Sequence, residues 1–196
     1  MFKFIGNTVL KTRGWKIVPQ IPCKEVNRCV LICAPHTSNW DYILAMAIMD
    51  QLKVHIRYAI KKEHMKFPLG PVFKSLGGIG IDRSPKKNGE KRPSMVDTIA
   101  QLFEENEKLC MMIAAEGTRS LREEWKSGFY YIAQKANVPI CLAYLDYEKR
   151  EGGIGKVIYP SGDIEKDMKE IMEFYVSIKG KSPEKFSIDK RYVPNK

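Results

Sequence analysis

His36-Thr37-Ser38-Asn39-Trp40-Asp41 sets a histidine five positions before a carboxylate. A histidine can take a proton near neutral pH, and a neighbouring carboxylate can fix its tautomer and stabilise the imidazolium. Further along, Glu116-Gly117-Thr118-Arg119-Ser120 has the makings of an anion-binding turn. Its glycine permits close backbone approach, its hydroxyls and N–H groups suit oxygens, and its arginine suits bidentate bonds to phosphate. Ile81-Asp82-Arg83-Ser84 offers another phosphate-competent arginine. The chemistry these stretches describe is a hydroxyl made nucleophilic beside a bound phosphate, with Glu116 available to a substrate hydroxyl.

Spacing constrains the geometry. On one continuous helix, five residues would separate the two side chains by about 140°. His36 and Asp41 can meet only if the chain turns between them, with His36 in a loop and Asp41 in the first helical turn. Thr37-Ser38-Asn39 is suitable turn chemistry. Each stretch also has a plainer reading. Ser38-x-x-Asp41 resembles a capping box, in which Asp41 serves the helix N-terminus. His36 alone reads as a structural histidine, Glu116–Ser120 as a tight turn, and Asp82 with Arg83 as a surface pair of little energetic weight.

The elements around these residues predict an α/β domain. Arg28–Ala34 is a short apolar run stopped by Pro35, the pattern of a buried strand. Trp40–Leu52 reads as a helix and Val54–Ile60 as a strand. Phe67-Pro68-Leu69-Gly70-Pro71 reads as a turn-rich loop, Leu76–Asp82 as a glycine-containing strand and Arg83–Arg92 as a basic loop. Helices are expected over Pro93–Glu105, Phe129–Ala136 and Asp163–Lys179, and strands over Leu109–Ala115, Val138–Leu145 and Gly155–Tyr159. The alternation favours a mixed, largely parallel sheet flanked by helices. In such folds ligands gather where strands end and helices begin, which is where both motifs fall. Residues 1–196 read as a single domain, with an irregular tail over 181–196. On a helix, Phe2, Ile5, Val9 and Leu10 share a face, so residues 1–13 form either a helix packed on the domain or an interfacial anchor.

Composition bounds the partners. Hydrophobic residues make up 44% and charged residues 29%, a globular balance. No apolar run is long enough to span a bilayer, and no cleaved signal is read at the N-terminus. Of five cysteines, Cys29, Cys33, Cys110 and Cys141 lie in apolar runs and read as small buried hydrophobes in a reducing compartment; their spacing is not that of a zinc site. The formal net charge is +10, and Lys53–Arg92 alone carries eleven Lys/Arg against three acids. That excess suits phosphate ligands, an anionic membrane surface or nucleic acid, or it is simply a solvated face. His55 and His64 have no spaced partner. Ser120 and Ser127 lack the glycine-flanked elbow of a serine hydrolase.

The chain resembles the glycerolipid acyltransferases, the family that includes the lysophosphatidic acid acyltransferases. His36–Asp41 matches their H-x4-D block, Gly77–Arg83 their G-x-I-x-I-D-R segment, Glu116–Ser120 their E-G-T-R-S block and Val138-Pro139-Ile140 the V-P-I of a fourth. Trp125-Lys126-Ser127-Gly128 stands where an F-K-x-G-like stretch is usual. The blocks occur in the family's order and span residues 36 to 140, over half the chain. The resemblance implies His36 as general base and Asp41 as its orienter. It implies Arg83, Glu116 and Arg119, with Gly117 and Thr118, around the acceptor's phosphate and glycerol, and Pro139 on the acyl-donor side.

The reaction implied is attack of a lysophospholipid hydroxyl, most readily that of 1-acylglycerol-3-phosphate, on acyl-CoA or acyl-acyl-carrier protein. No metal or other cofactor is implied. Such an enzyme of phospholipid biosynthesis is expected in the cytoplasm, peripherally associated with the inner face of the membrane. Two departures bear on acceptor choice. Ala114-Ala115 replaces the usual Phe-Pro, and Cys141-Leu142 follows the fourth block where a second proline is usual. A different lysolipid acceptor is therefore the first alternative. A basic nucleic-acid-binding module is another, although Tyr58, Phe67 and Phe73 do not form a base-stacking pattern and no nucleic acid is expected. A metal hydrolase would need more ligands than His36, Asp41 and Glu116 supply.

Overall fold

The computed structural model describes residues 2–19, 23–82 and 93–193. In chain order, helix α1 (Phe2–Thr12), strand β1 (Lys16–Pro19) and the short helix α2 (Cys23–Val26) come first. Then follow β2 (Arg28–Cys33), α3 (Asn39–Gln51), β3 (Ile56–Lys61), a 3-10 turn (Lys62–Met65), α4 (Gly70–Ser75) and β4 (Gly78–Ile81). The remainder is α5 (Met95–Glu105), β5 (Leu109–Ile113), α6 (Gly128–Ala136), β6 (Ile140–Asp146), β7 (Glu151–Ile158) and α7 (Ile164–Tyr175).

Seven strands form one sheet in the order β1-β7-β6-β2-β5-β3-β4. From β6 to β4 neighbouring strands are parallel; β7 is antiparallel to β6, and β1 runs with β7. This is the mixed, largely parallel sheet that the alternation of elements predicts. Central β2 shows why. Its residues alternate between faces: Cys29 and Leu31 join the core under α1 and α3, and Val30 and Ile32 join the core under α5, α6 and α7. A strand buried on both sides is apolar where it is buried, and residues 29–32 read as CVLI.

Besides α2, unassigned from sequence, two elements differ from the expectation. The segment read as a turn-rich loop, residues 67–71, runs at Gly70 into α4, part of the crossover that parallel β3 and β4 need. Lys16–Pro19, unassigned from sequence, pairs with β7 at the edge of the sheet. Four residues are too few for a periodic pattern to declare itself.

Helix α1 packs on α3. Gly6 is the contact point, since a Cβ there would lie 2.6 Å from the Ala47 Cβ. Leu10 is buried at the same interface. After Gly180, where the chain is expected to be irregular, the described residues have two 3-10 turns and no longer element, yet they are held firmly. Buried Asp189 accepts the Trp125 backbone N–H at 2.9 Å and the Arg191 guanidinium at 2.7 Å. The Trp125 indole N–H donates to the Ser187 carbonyl at 2.9 Å.

Candidate active site

The site is built at the carboxyl ends of three adjacent parallel strands, β6, β2 and β5. Strand β2 ends at Cys33 and α3 begins at Asn39, so His36 lies in the loop and Asp41 in the first helical turn. The turn between them brings His36 Nδ1 to 3.5 Å from Asp41 Oδ2. That same oxygen accepts the backbone N–H groups of Thr37 and Ser38, each at 2.7 Å. The helix-capping and histidine-orienting readings of Asp41 are thus not alternatives. One carboxylate closes the capping box with Ser38 and faces the imidazole.

Tyr147 completes this arrangement. It follows the end of β6 and donates its hydroxyl to Asp41 Oδ1 at 2.7 Å. Burial opposes the charge on Asp41, but the bonds from His36, Tyr147, Ser38 and Thr37 outweigh it and hold the carboxyl below its ordinary value. Burial, together with the Asp41 charge, pushes the Tyr147 phenol well above its ordinary range, so it remains a donor. With Nδ1 turned toward Asp41, Nε2 of His36 is the nitrogen left for a substrate proton.

Strand β5 neighbours β2 with Ile113 opposite Ile32, which delivers Glu116 to the His36 loop. Glu116 Oε1 accepts the His36 backbone N–H at 3.0 Å, and the residue is only 5% exposed. Its Oε2 is buried without a hydrogen-bond partner among the described residues. Burial pushes this carboxyl up to about 7. The residue expected to meet a substrate hydroxyl therefore sits behind the histidine loop. Gly117 turns with φ +69°, and a Cβ there would come within 2.9 Å of the Lys126 stem.

A cavity of about 940 Å³ opens over these strand ends. His36, Asp41, Gly117, Thr118, Arg119 and Lys126 form its polar part. Ile48, Met49, Ile99, Phe129 and Ile132 are among the many apolar side chains that line the rest. A second hollow, of about 580 Å³, shares Arg119 with the cavity. It is lined by Thr37, Ser38, Ser120, Lys181, Ser182 and Lys185 among others, with no acidic side chain among the described residues. Gly180 allows this wall to form, since a Cβ there would lie 2.9 Å from Pro35 and 3.2 Å from Thr37. Ser182 N–H then donates to Thr37 Oγ1 at 3.2 Å.

The remaining sequence expectations are distributed as follows. Arg83 lies outside the described residues. Pro139 stands at the far end of β6, where its carbonyl accepts the Val30 N–H at 3.0 Å, and it does not line the cavity. Lys126 and Gly128 of the Trp125–Gly128 stretch do line it, while Trp125 is buried in the core. Tyr147, Lys181 and Lys185 were not singled out from sequence. Each reaches the site through a strand or strap remote from the motifs, and none carries a local pattern.

A profile of the family described as Acyltransferase matches residues 10–146. The chain belongs to the acyltransferase family. Among curated proteins, none matches this acyltransferase by sequence. Among solved structures it is similar to the crystal structure of the 1-acyl-sn-glycerophosphate (LPA) acyltransferase, PlsC, from Thermotoga maritima. That likeness has a TM-score of 0.56 at 16% identity and covers 89% of this chain and 75% of the other. It is a likeness of fold; the family match agrees with the acyltransferase resemblance read from the motifs. His36, Asp41, Gly117, Thr118 and Arg119 of these motifs therefore share one cavity, at the strand ends where this architecture gathers ligands.

Proposed function

We propose that this acyltransferase moves a fatty acyl group from an acyl thioester to the free hydroxyl of a lysophospholipid, with 1-acylglycerol-3-phosphate as the acceptor its charges suit best. One juxtaposition carries the reading: the His36–Asp41 pair stands where a largely apolar cavity meets a basic hollow, and Arg119 borders both. An acyl chain suits the cavity, each buried methylene contributing about 0.8 kcal/mol. A phosphate suits Arg119 with Lys181 and Lys185, and Arg83 is a further phosphate ligand that the family resemblance implies.

In this mechanism His36 Nε2 takes the proton of the acceptor hydroxyl as its oxygen attacks the thioester carbonyl carbon. Asp41 holds the ring and stabilises the imidazolium. The tetrahedral intermediate collapses, the carbon–sulfur bond breaks, and the departing thiolate receives the proton from His36. The products are the new ester and the free thiol of coenzyme A or of the carrier protein. No acyl-enzyme forms. Glu116 acts as a positioning residue, through its bond to the His36 backbone.

The test is acyl transfer from acyl-CoA and from acyl-carrier protein to lysophosphatidic acid and to a phosphate-free lysolipid, with His36→Ala alongside. The reading expects transfer to the phosphate-bearing acceptor, lost roughly a hundredfold or more in the variant. Preference for the phosphate-free acceptor would overturn the acceptor assignment. Undiminished transfer by a folded His36→Ala protein would overturn the base.

A further inference from the structure

Residues 61–76 present an unusual surface. Phe67 is 88% exposed, Leu69 59% and Val72 51%, and Pro68 and Pro71 between them are exposed too. Single exposed apolar side chains need no explanation, but a contiguous group of this size does. Around it stand exposed Lys61, Lys62, Lys66 and Lys74, against the single acid Glu63 within the segment. Lys62 also reaches Asp82 of the following loop at 3.7 Å.

We propose that Phe67, Leu69 and Val72 form a prong that enters the interface of an anionic phospholipid bilayer, with Lys66 and Lys74 set against its headgroups. Three observations carry this. The prong is firmly mounted: Gly70 N–H bonds the Lys66 carbonyl at 2.8 Å, and Gly70 and Gly80 leave room for Met65 beneath it. Added Cβ atoms there would lie 1.9 Å from the Met65 carbonyl oxygen and 2.7 Å from its side chain. A mounted loop can hold apolar groups outward instead of folding them away.

Helix α4 is also two-sided. Phe73 and the C-cap residue Leu76 line the large cavity, while Val72 is exposed, as Phe67 and Leu69 are. Insertion of the prong would bring that wall of the cavity to headgroup depth, where a lipid acceptor resides. The chemistry selects the partner. Lysines alone would suit an acidic protein, but an outward aromatic and two aliphatic groups ringed by lysines match the interface, apolar below and anionic above. Among the described residues no helix is long and apolar enough to cross a membrane. The proposal rests on the lipid-acceptor reading only for the cavity's orientation; the binding itself does not.

The experiment is co-sedimentation of the full chain with vesicles of phosphatidylcholine alone and of phosphatidylcholine with an equal part of phosphatidylglycerol, without substrates. Wild type is expected on the anionic vesicles and largely absent from the zwitterionic ones. Phe67→Ser/Leu69→Ser/Val72→Ser should lower partitioning at least tenfold. Lys66→Glu/Lys74→Glu should lower it at least as much, since each lysine contributes about fivefold. Turnover of a short-chain, water-soluble lysolipid should be unchanged in the serine variant, which separates failed docking from failed catalysis. Equal sedimentation of wild type and serine variant would overturn the proposal. So would absence of wild type from both vesicles, or a wild-type dimer in sedimentation velocity that the serine variant loses.

Discussion

Tyr147 gives its hydroxyl proton to Asp41 across 2.7 Å, joining the end of β6 to the first turn of α3. Its ring is held edge-on against Trp15 with centroids 5.0 Å apart. The carboxylate behind His36 is therefore fixed from the end of β6, the strand beside the one from which the histidine loop departs. Tyr147→Phe should leave the fold intact and lower kcat about tenfold with little change in KM. Stability should fall by about 1.5 kcal/mol, the usual worth of a hydrogen bond to a charged group. Steady-state kinetics and thermal melting check both.

His36→Ala and Asp41→Ala should part company. Loss of His36 removes the base and little else. Loss of Asp41 also orphans the Thr37 and Ser38 N–H groups and the Tyr147 hydroxyl, and opens the capping box. Both variants should lose activity by a hundredfold or more, but only Asp41→Ala should lose stability, by about 3 kcal/mol. Because the Asp41 carboxyl is depressed in the native state, its stabilisation is present above the ordinary value of 3.8 and lost as the pH falls through the folded value. The stability gap between wild type and Asp41→Ala should therefore close in acid, which denaturant titrations along a pH series would reveal.

Glu116 has the opposite sign. Burial raises its carboxyl from the ordinary 4.5 to about 7. Below pH 4.5 both states are protonated and the group is neutral in its effect. Between pH 4.5 and about 7 the unfolded chain ionises first, so native stability falls as the pH rises, by at most about 3 kcal/mol. Glu116→Gln keeps an acceptor for the His36 N–H and removes this penalty. The variant should gain melting temperature over wild type across that window and hold the gain above it. A gap independent of pH would contradict the buried, unpartnered state of Oε2.

Gly180→Ala tests the strap behind the histidine loop. The added methyl meets Pro35 at 2.9 Å, and a proline ring cannot step aside as a long side chain can. The Ser182–Thr37 bond should stretch, stability should drop by about 1–3 kcal/mol, and kcat should fall although no motif residue is altered. Retained kcat with a lowered melting temperature would confine Gly180 to stability.

Lys181→Ala/Lys185→Ala tests the basic hollow. Both lysines are exposed, so their worth is modest. KM for a phosphate-bearing acceptor should rise about fivefold, with kcat unchanged and the wild-type salt dependence weakened. A phosphate-free lysolipid should be unaffected. Equal effects on the two acceptors would remove the phosphate from this hollow.

Much of this protein is decided by contiguous stretches of chain. Apolar periodicity marks the central strands and most helices, because the 2.0 and 3.6 repeats are properties of neighbours in sequence. The turn between His36 and Asp41 is likewise local, since only a loop-to-helix junction lets the two side chains meet. Short β1 and α4 escaped because four to six residues carry too little periodicity, and Gly70-Pro71 reads as a turn as well as a helix start. What tertiary structure alone decided is which strand ends are neighbours. The order β6-β2-β5 brings Tyr147 to Asp41 and Glu116 to the His36 backbone, and the strap at Gly180 brings Lys181 and Lys185 to Arg119. It also sends Pro139 to the far end of β6 and turns Glu116 inward. No spacing encodes these outcomes, because sheet order follows from packing two apolar faces at once, a condition that residues far apart in the chain satisfy together.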